Sequence, residues 1–476
     1  MKFSFVNPGP NPEFPAKDMK KMIGAAPPLG MMYIATILRR EGIEVSMIDE
    51  AAQAFSIADT VDWVKKEDPD LLGFSTCSSS GRKAAMIAER VKAEDPNVVI
   101  VFGNFHATFN AERILRKYPS VDAIVRGEGE NTSLELVKCL EKDGDLKEVM
   151  GITFREGGRV IANPDRPLIQ DVDSIPFPDR GLLNVEYHNT AVGIDVAPKK
   201  FTTFVSSRGC VFGCRFCGCR GLARNQWRSR SVENVLEELQ LLAGEGYKQL
   251  MFVDDNFTLN PKRVIEMCRR MREERIDLEW ICEGRVDQCP YDMIHEMVKA
   301  GCKMMYFGIE SANQRILEYY DKQITSEQAE AAVRNARKAG MDVIVGSFIV
   351  GAPDETREEI ENTLRFAQEL QIDIPQFNIL AAFPGTDIWE ELSAKGVIDE
   401  EKHWEAEVPV SDVSPKAVPR KEIERMVHEG YQRFLTRPSY VLAQLLRFST
   451  SSYRLNVLAN NLGRMGTIAD SVRTVT

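Results

Sequence analysis

No run of about 18 apolar residues occurs in this chain, so it contains no candidate for a membrane-crossing helix. The first residues, MKFSFVNPGPNPEF, hold too short an apolar stretch for a secretory signal, and a cytoplasmic protein is expected. Low-complexity tracts are missing too. With 43% hydrophobic and 28% charged residues, the composition is that of a folded chain. Cationic charge is short overall: a net charge of -11 excludes a general nucleic-acid binder, which needs cationic surface to displace counterions. The charge is uneven, and the tail is short of acids. From Tyr431 to Thr476, Asp470 stands alone against six arginines, Arg433, Arg437, Arg447, Arg454, Arg464 and Arg473. Ten cysteines in a cytoplasmic chain are expected to be thiols, core fillers or metal ligands rather than disulfides.

At 476 residues the chain is too long for one core. Residues 1–150 alternate short apolar runs such as KFSFVNP, EVSMIDE, LLGFSTC, VVIVFG and AIVRGEGE with helical patterns such as PLGMMYIATILRREG. Five strands separated by helices predict an α/β domain with a doubly wound, Rossmann-like parallel sheet. Such sheets bind ligands beyond the carboxyl ends of their strands, here occupied by Pro8-Gly9, Ser75-Thr76, Gly103-Asn104 and Gly127-Glu128-Gly129. The same residues also suit ordinary strand-to-helix turns. Residues 151–198 carry a short hairpin signal, ITFREGGRVIAN, and then a linker dense in Pro and Asp. Residues 199–405 hold six strand candidates, FTTFVSS, QLMFVDD, EWICEGR, MMYFGIE, VIVGSFIVG and PQFNILAAF, again separated by helical patterns. This predicts a partial (β/α)6 barrel with its site at the carboxyl ends of the strands. Residues 406–476 are expected to be helical and to end in a basic amphipathic tail.

Directly after the first strand of the second block comes SSRGCVFGCRFCGCRG, in which Cys210, Cys214 and Cys217 are spaced Cys-x3-Cys-x2-Cys. Three thiolates in one loop grip three irons of a cubane and leave the fourth iron open to a substrate or cofactor. A zinc knuckle is the alternative, with Cys219 as fourth ligand. Zinc loops usually pair two Cys-x2-Cys units or add histidines at wider separation, and no such second unit occurs here.

With Phe216 before its last cysteine, the loop resembles the motif of the radical S-adenosylmethionine superfamily, over about residues 199–405. The resemblance implies a 4Fe-4S cluster whose open iron is chelated by S-adenosylmethionine. It also implies roles at the other strand ends. Asp254 and Asp255 are candidates for the methionyl ammonium, and Arg285 for the carboxylate. Glu310 and Ser311 are candidates for the ribose hydroxyls, and Gly351 for close approach to adenine.

APPLGMMYIATIL, GNFHATFNAERIL and VRGEGE in the first block look like the cobalamin-binding branch of that superfamily, and the resemblance implies a corrinoid at the strand ends named above. Many relatives have two glycines where this chain has Gly103-Asn104. The Asp-x-His-x2-Gly signature of cobalt ligation by histidine is absent. His106 is therefore expected beside the corrinoid, not on cobalt. Relatives that attach methylthio groups place three further cluster cysteines in this domain, which here has only Cys77 and Cys139.

The activity implied is methylation of an unactivated carbon. One S-adenosylmethionine remethylates cobalamin, and a second yields the 5'-deoxyadenosyl radical that takes a substrate hydrogen. The alternative with the same cofactors is carbon-carbon bond formation or oxidative cyclisation of a lipid or tetrapyrrole, as in the anaerobic porphyrin-ring cyclases. A rival of another class is a non-catalytic zinc or iron-sulfur module. Expected partners are a small-molecule or lipid substrate and an electron donor such as flavodoxin or ferredoxin. In the tail, Val441, Leu442, Leu445, Leu446, Phe448, Leu455, Leu458 and Leu462 recur at helical spacing. Such a face either packs on the barrel as a lid or rests peripherally on anionic lipid, attracted through the arginines.

Overall fold

The computed structural model describes residues 1–11, 26–191, 194–406 and 411–461. Leu462, Arg464, Asp470 and Arg473 of the tail lie outside the described residues. The chain divides into two compact units that meet in sequence between Glu186 and Tyr187, with Asp399–Val410 belonging to the first. No helix among the described residues is long and apolar enough to cross a membrane.

In the first unit, strands β1 (Lys2–Asn7), β2 (Glu44–Asp49), β3 (Leu71–Ser75), β4 (Val99–Gly103) and β5 (Ala123–Val125) run parallel in the order β2-β1-β3-β4-β5. Strand order reverses between β1 and β3, which opens the crevice where ligands of this architecture bind. Helices pack on the sheet through Ala84, Ile87, Ala88 and Val91 of Gly81–Glu94, which meet Val6, Leu72, Phe74 and Ile100 in one buried core. The hairpin foreseen after residue 150 forms β6 (Ile152–Glu156) and β7 (Arg159–Ala162), which extend this sheet antiparallel beyond β5. Its turn, Gly157-Gly158, has positive φ at both residues, as a tight hairpin demands.

The second unit is a six-stranded parallel sheet: β8 (Phe201–Phe204), β9 (Gln249–Phe252), β10 (Glu279–Arg285), β11 (Cys302–Glu310), β12 (Val343–Val350) and β13 (Ile374–Ile379). Strands neighbour one another in chain order, and β8 and β13 do not pair, so the barrel is open. Side chains alternate between faces. Trp280, Cys282, Phe307, Ile344 and Phe348 point outward into the core under the helices. Ile281, Met304, Val343 and Val345 point inward, and Val196 and Tyr453 join them to plug the amino-terminal end of the barrel.

Two helices of the tail dock at that end. In α1 (Ser452–Asn461), Tyr453 Oη donates to the carbonyl of Val196 at 2.8 Å, and Asn461 exchanges two hydrogen bonds with the backbone of Asp195 at 3.0 and 2.9 Å. The preceding helix, α2 (Pro438–Phe448), is held by the buried Asp373, just before β13. Asp373 accepts from Gln444 at 3.0 Å, Arg447 at 2.8 Å and Arg454 at 2.7 Å, and also pairs with Arg337. Burial opposes its ionisation, but Arg337 and Arg454 outweigh burial and hold its carboxyl below the usual range. The tail arginines Arg447 and Arg454 thus serve the interior, and Arg437 is bound to the carbonyl of Gln368. Part of the tail is a lid, as α1 shows. The outer side of α2 is not, because Val441, Leu442, Leu445 and Leu446 are exposed.

Asp373→Ala is expected to lower the free energy of unfolding by about 3–5 kcal/mol, since several guanidinium groups lose one shared counter-charge. Urea denaturation of the two proteins measures it. A change within about 0.5 kcal/mol, the range of ordinary surface substitutions, would contradict the anchoring role.

Candidate active site

The cysteine loop is fixed before it begins. Asp254, at the end of β9, accepts from Ser206 N at 2.8 Å and from the Ser206 and Ser207 hydroxyls at 2.6 Å each. Arg263 donates to the carbonyls of Ser206 and Arg230 at 2.9 and 3.0 Å. Gly209, immediately before Cys210, sits at φ +85°, and a Cβ there would lie 2.1 Å from the carbonyl of Gln226. Only glycine lets the chain turn into the loop at this point.

Cys214 is buried, and Cys210, Cys217 and Cys219 are half-buried. Burial pushes the Cys217 thiol up to about 11 and raises that of Cys214; the Cys219 thiol goes far above its ordinary value through burial and through Asp255. Two donors face the sulfurs. Asn256 Nδ2 lies 3.6 Å from Cys210 Sγ, and Arg285 Nη1 lies 3.7 Å from Cys214 Sγ. Arg285 is held in turn by the Phe212 ring at 3.6 Å, by the carbonyl of Lys322 at 2.7 Å and by Asp287 at 3.0 Å.

Below the loop, alternation along the strands sorts the candidate residues. Asp254 is turned away and buried, while the adjacent Asp255 is exposed and accepts from Gly209 N at 2.7 Å. Glu310 has φ +63° and pairs with Lys322 at 2.6 Å, both side chains being buried. Gly308 leaves room for that pair, since a Cβ there would come within 2.8 Å of both groups. Phe216 packs edge-on against Tyr320 at 5.3 Å, with Lys322 Nζ 5.9 Å from its ring centre. The Ser311 hydroxyl is turned to Thr363 at 3.1 Å and also accepts from the backbone N–H of Asn313. Gly351, at φ +87°, donates its N–H to Glu355 at 2.5 Å.

Four residues escaped sequence reasoning: Asn256, Glu283, Tyr306 and Lys322. Glu283 and Tyr306 are paired neighbours in the register of β10 and β11, on the inner face. The Glu283 carboxyl is open to the hollow of the barrel but ringed by its walls. That enclosure, together with Glu310 and Asp255, raises its pKa. Glu283 stands two residues before Arg285, and the period of two was the signal that it shares Arg285's face. Nothing in the sequence ties Lys322 to Glu310.

In the first unit, Asn104 takes φ +75°, the left-handed conformation that the second glycine of relatives would adopt without strain, and Asn is among the few other residues that tolerate it. Its side chain donates to Ser75 Oγ at 2.9 Å. Thr76 Oγ1 donates to the carbonyl of Gly103 at 2.9 Å, which locks two strand ends together. Gly127 has φ +69° and open space where a Cβ would be. Glu128 accepts from Ile169 N at 2.8 Å. Pro8 and Gly9 are buried, and Gly9 N donates to Glu50, which also binds Lys83 at 2.9 Å. The His106 ring lies against Gly81, where a Cβ would meet Nε2 at 2.6 Å, and it stacks on Trp404 at 6.4 Å.

The Radical SAM superfamily profile matches residues 204–367, and the B12 binding domain profile matches residues 19–137. An uncharacterised methyltransferase of Pyrococcus horikoshii is 39% identical over 430 residues, covering 90% of this chain and 92% of that one. The chain belongs to the cobalamin-binding radical S-adenosylmethionine family. Anaerobic magnesium-protoporphyrin IX monomethyl ester cyclase of Cereibacter sphaeroides is 29% identical over 425 residues, covering 87% of this chain and 68% of that one. The solved structure of the methyltransferase TsrM from Kitasatospora setae, with cobalamin and a 4Fe-4S cluster, shares the fold: TM-score 0.69, 17% identity, 83% of this chain and 78% of that one.

Membership makes the protein an enzyme and brings a 4Fe-4S cluster, S-adenosylmethionine and cobalamin as cofactors. The residues fit. Cys214 and Cys217, whose thiols burial holds back from ionising, need a multivalent cation to become thiolates, and Cys210 and Cys214 each meet a nitrogen donor of the kind that tunes an iron-sulfur centre. Among the described residues no trio of His, Cys, Asp or Glu forms a cage for a single ion. A cubane asks for no such cage, because it spreads its ligands over three irons. For cobalamin, the fit is the uncrowded Gly127 and the left-handed Asn104 at neighbouring strand ends.

Iron analysis of anaerobically reconstituted protein should find one cluster. Cys210→Ala, Cys214→Ala and Cys217→Ala should each abolish it, and Cys219→Ala should keep it. Asn256→Ala should retain iron but lower the midpoint potential, because the sulfur loses a donor; an unchanged potential would leave Asn256 a structural residue. A second test concerns Glu355. Burial pushes its carboxyl up to about 7 from an ordinary 4.5, against the lowering effect of the Ala352 and Gly351 amides, and its other oxygen makes no hydrogen bond. The folded state therefore holds this proton more tightly than the unfolded one. Its contribution is full below the ordinary value and fades as pH rises through about 7. Over that window the loss is at most about 3 kcal/mol. Melting temperatures at mildly acidic and mildly alkaline pH should converge in Glu355→Gln, and an unaltered slope would reject the assignment.

Proposed function

We propose that this enzyme methylates an unactivated carbon of a small molecule or lipid. The observation that carries the reading is the pairing, in one chain, of a three-thiol loop facing Asp255 and Arg285 with strand ends fitted to a corrinoid. Methylation is favoured over cyclisation because the relative named a methyltransferase aligns over 92% of its own length, against 68% for the cyclase. When bound, the cluster and S-adenosylmethionine supply a 5'-deoxyadenosyl radical, and cobalamin supplies the methyl group.

The chain's own side chains bind and orient. Cys210, Cys214 and Cys217 hold iron. Asp255 receives the methionyl ammonium, for which the buried Asp254 has no free oxygen. Arg285, already against Cys214, meets the methionyl carboxylate. Glu310, fixed by Lys322, serves the ribose hydroxyls, and the backbone at Gly351 packs on adenine. Phe216 stiffens the loop through Tyr320, and the Ser311 hydroxyl acts indirectly, by fixing Glu310's turn. Gly103, Asn104 and Gly127 line the corrinoid, with Ser75, Thr76, Pro8, Gly9 and Glu128 shaping their loops. His106 lies beside it, its Nε2 turned to Gly81. A flavodoxin or ferredoxin delivers the electrons. Within this reading the enzyme works in the cytoplasm and meets the membrane peripherally, through its tail.

Anaerobic turnover with S-adenosylmethionine deuterated in its methyl group tests the reaction on candidate lipids and small apolar substrates. The expected product carries the labelled methyl and forms with equal amounts of 5'-deoxyadenosine and S-adenosylhomocysteine. Unlabelled product formed with 5'-deoxyadenosine alone would assign the enzyme to cyclisation or carbon-carbon bond formation.

A further inference from the structure

Helix α2 is amphipathic in an unusual sense. Its polar side faces the protein. Tyr440, Gln444 and Arg447, one helical face, all bind Asp373. The opposite face therefore has one fixed orientation, outward, and it is apolar: Val441, Leu442, Leu445 and Leu446 are 45, 60, 63 and 62% exposed. Leu435 before it and Leu455 on α1 add to the exposed apolar surface of the tail. No residue of α2 is fully buried. Single exposed leucines are commonplace, whereas a valine and three leucines side by side on an anchored helix mark a surface that something covers.

We infer that α2 rests this face on an anionic lipid bilayer, anchoring the barrel by its amino-terminal end; the inference rests on the peripheral contact proposed above and gives it a physical form. The residues around this face in sequence carry no charge that would repel an anionic surface. Although the chain carries a net -11, no acid occurs from Tyr431 to Asn461, and Arg433 is exposed close by in sequence. A second copy suits the face poorly. An eleven-residue helix is about 16 Å long and about 10 Å wide, and its outer strip falls far short of the roughly 800 Å² per partner of a stable interface.

The attachment differs from the one the sequence implied. Arg437, Arg447 and Arg454 are engaged inside the protein, so insertion of leucines, not attraction of a cationic tail, does most of the holding. Binding should therefore persist in salt that screens surface charge. The geometry also sets a distance. Asp373 marks the amino ends of the strands and the cysteines lie at the carboxyl ends, about 25–30 Å away along a nine-residue strand, so the anchor lies well away from the cluster. The α2 face is an anchor and not the substrate's entrance.

Flotation of the full chain with phosphatidylcholine vesicles containing phosphatidylglycerol tests this, at low and high salt. The wild type is expected to float in both. A protein with Leu442→Ser, Leu445→Ser and Leu446→Ser together should bind about tenfold less while keeping its circular dichroism spectrum. No flotation of the wild type, equal flotation of the triple variant, or binding abolished by salt would overturn the inference. So would a wild-type dimer in solution that the triple variant converts to monomer, which would give the face to a second copy. Formation of 5'-deoxyadenosine should be the same in both proteins and is a separate readout. Its absence from both would contradict the proposed reaction and leave the flotation result standing.

Discussion

Three thiols gathered in one partly buried loop are the constraint on which the second unit depends. A thiol pushed up to about 11, as Cys217 is, stays protonated at neutral pH and cannot ligate unless a multivalent metal offsets the cost of the charge. The surroundings are arranged for that offset: Asn256 and Arg285 point nitrogen donors at two of the sulfurs. The loop itself is braced by groups that take no part in ligation, with Asp254 and Arg263 gripping Ser206 and Gly209 providing the turn. Precision at the cysteines thus comes from a buried polar network three to four residues upstream.

The same division recurs at two strand ends. Of two adjacent residues, one is turned inward to the hollow of the barrel and the other braces a neighbour. Asp255 and Asp254 divide in this way, as do Glu310 and Ser311. Just past β9 and at the end of β11, neighbouring side chains still leave on opposite sides, as they do in the strands before them. A site built on strand ends therefore acquires its supporting contacts from the very residues that flank its ligands.

Much of this was legible beforehand. Alternation of apolar runs and helical patterns identified both sheets, and the spacing of Cys210, Cys214 and Cys217 identified the loop, because these signals are local. The sequence pattern was silent on which aspartate faces inward, because VDD gives no phase by itself. Glu283 was concealed in EWICEGR although its spacing from Arg285 placed it on the inner face. Lys322 was invisible, since its pairing with Glu310 spans a helix and a turn. The apolar face of the tail was read as packing on the barrel or resting on anionic lipid. In the structure α1 packs on the barrel, while α2 turns its polar side in and its apolar side out, because Asp373, buried just before β13, binds Tyr440, Gln444 and Arg447.

The central claim is that three cysteines leave one iron open for S-adenosylmethionine beside Asp255 and Arg285. Electron-nuclear double resonance on the reduced cluster, with S-adenosylmethionine labelled by nitrogen-15 at its amino group, tests it most directly. The account predicts a hyperfine coupling from the labelled nitrogen to the cluster. No coupling, together with a signal that S-adenosylmethionine leaves unchanged and that Cys219→Ala alters, would show a fourth cysteine ligand and contradict the account.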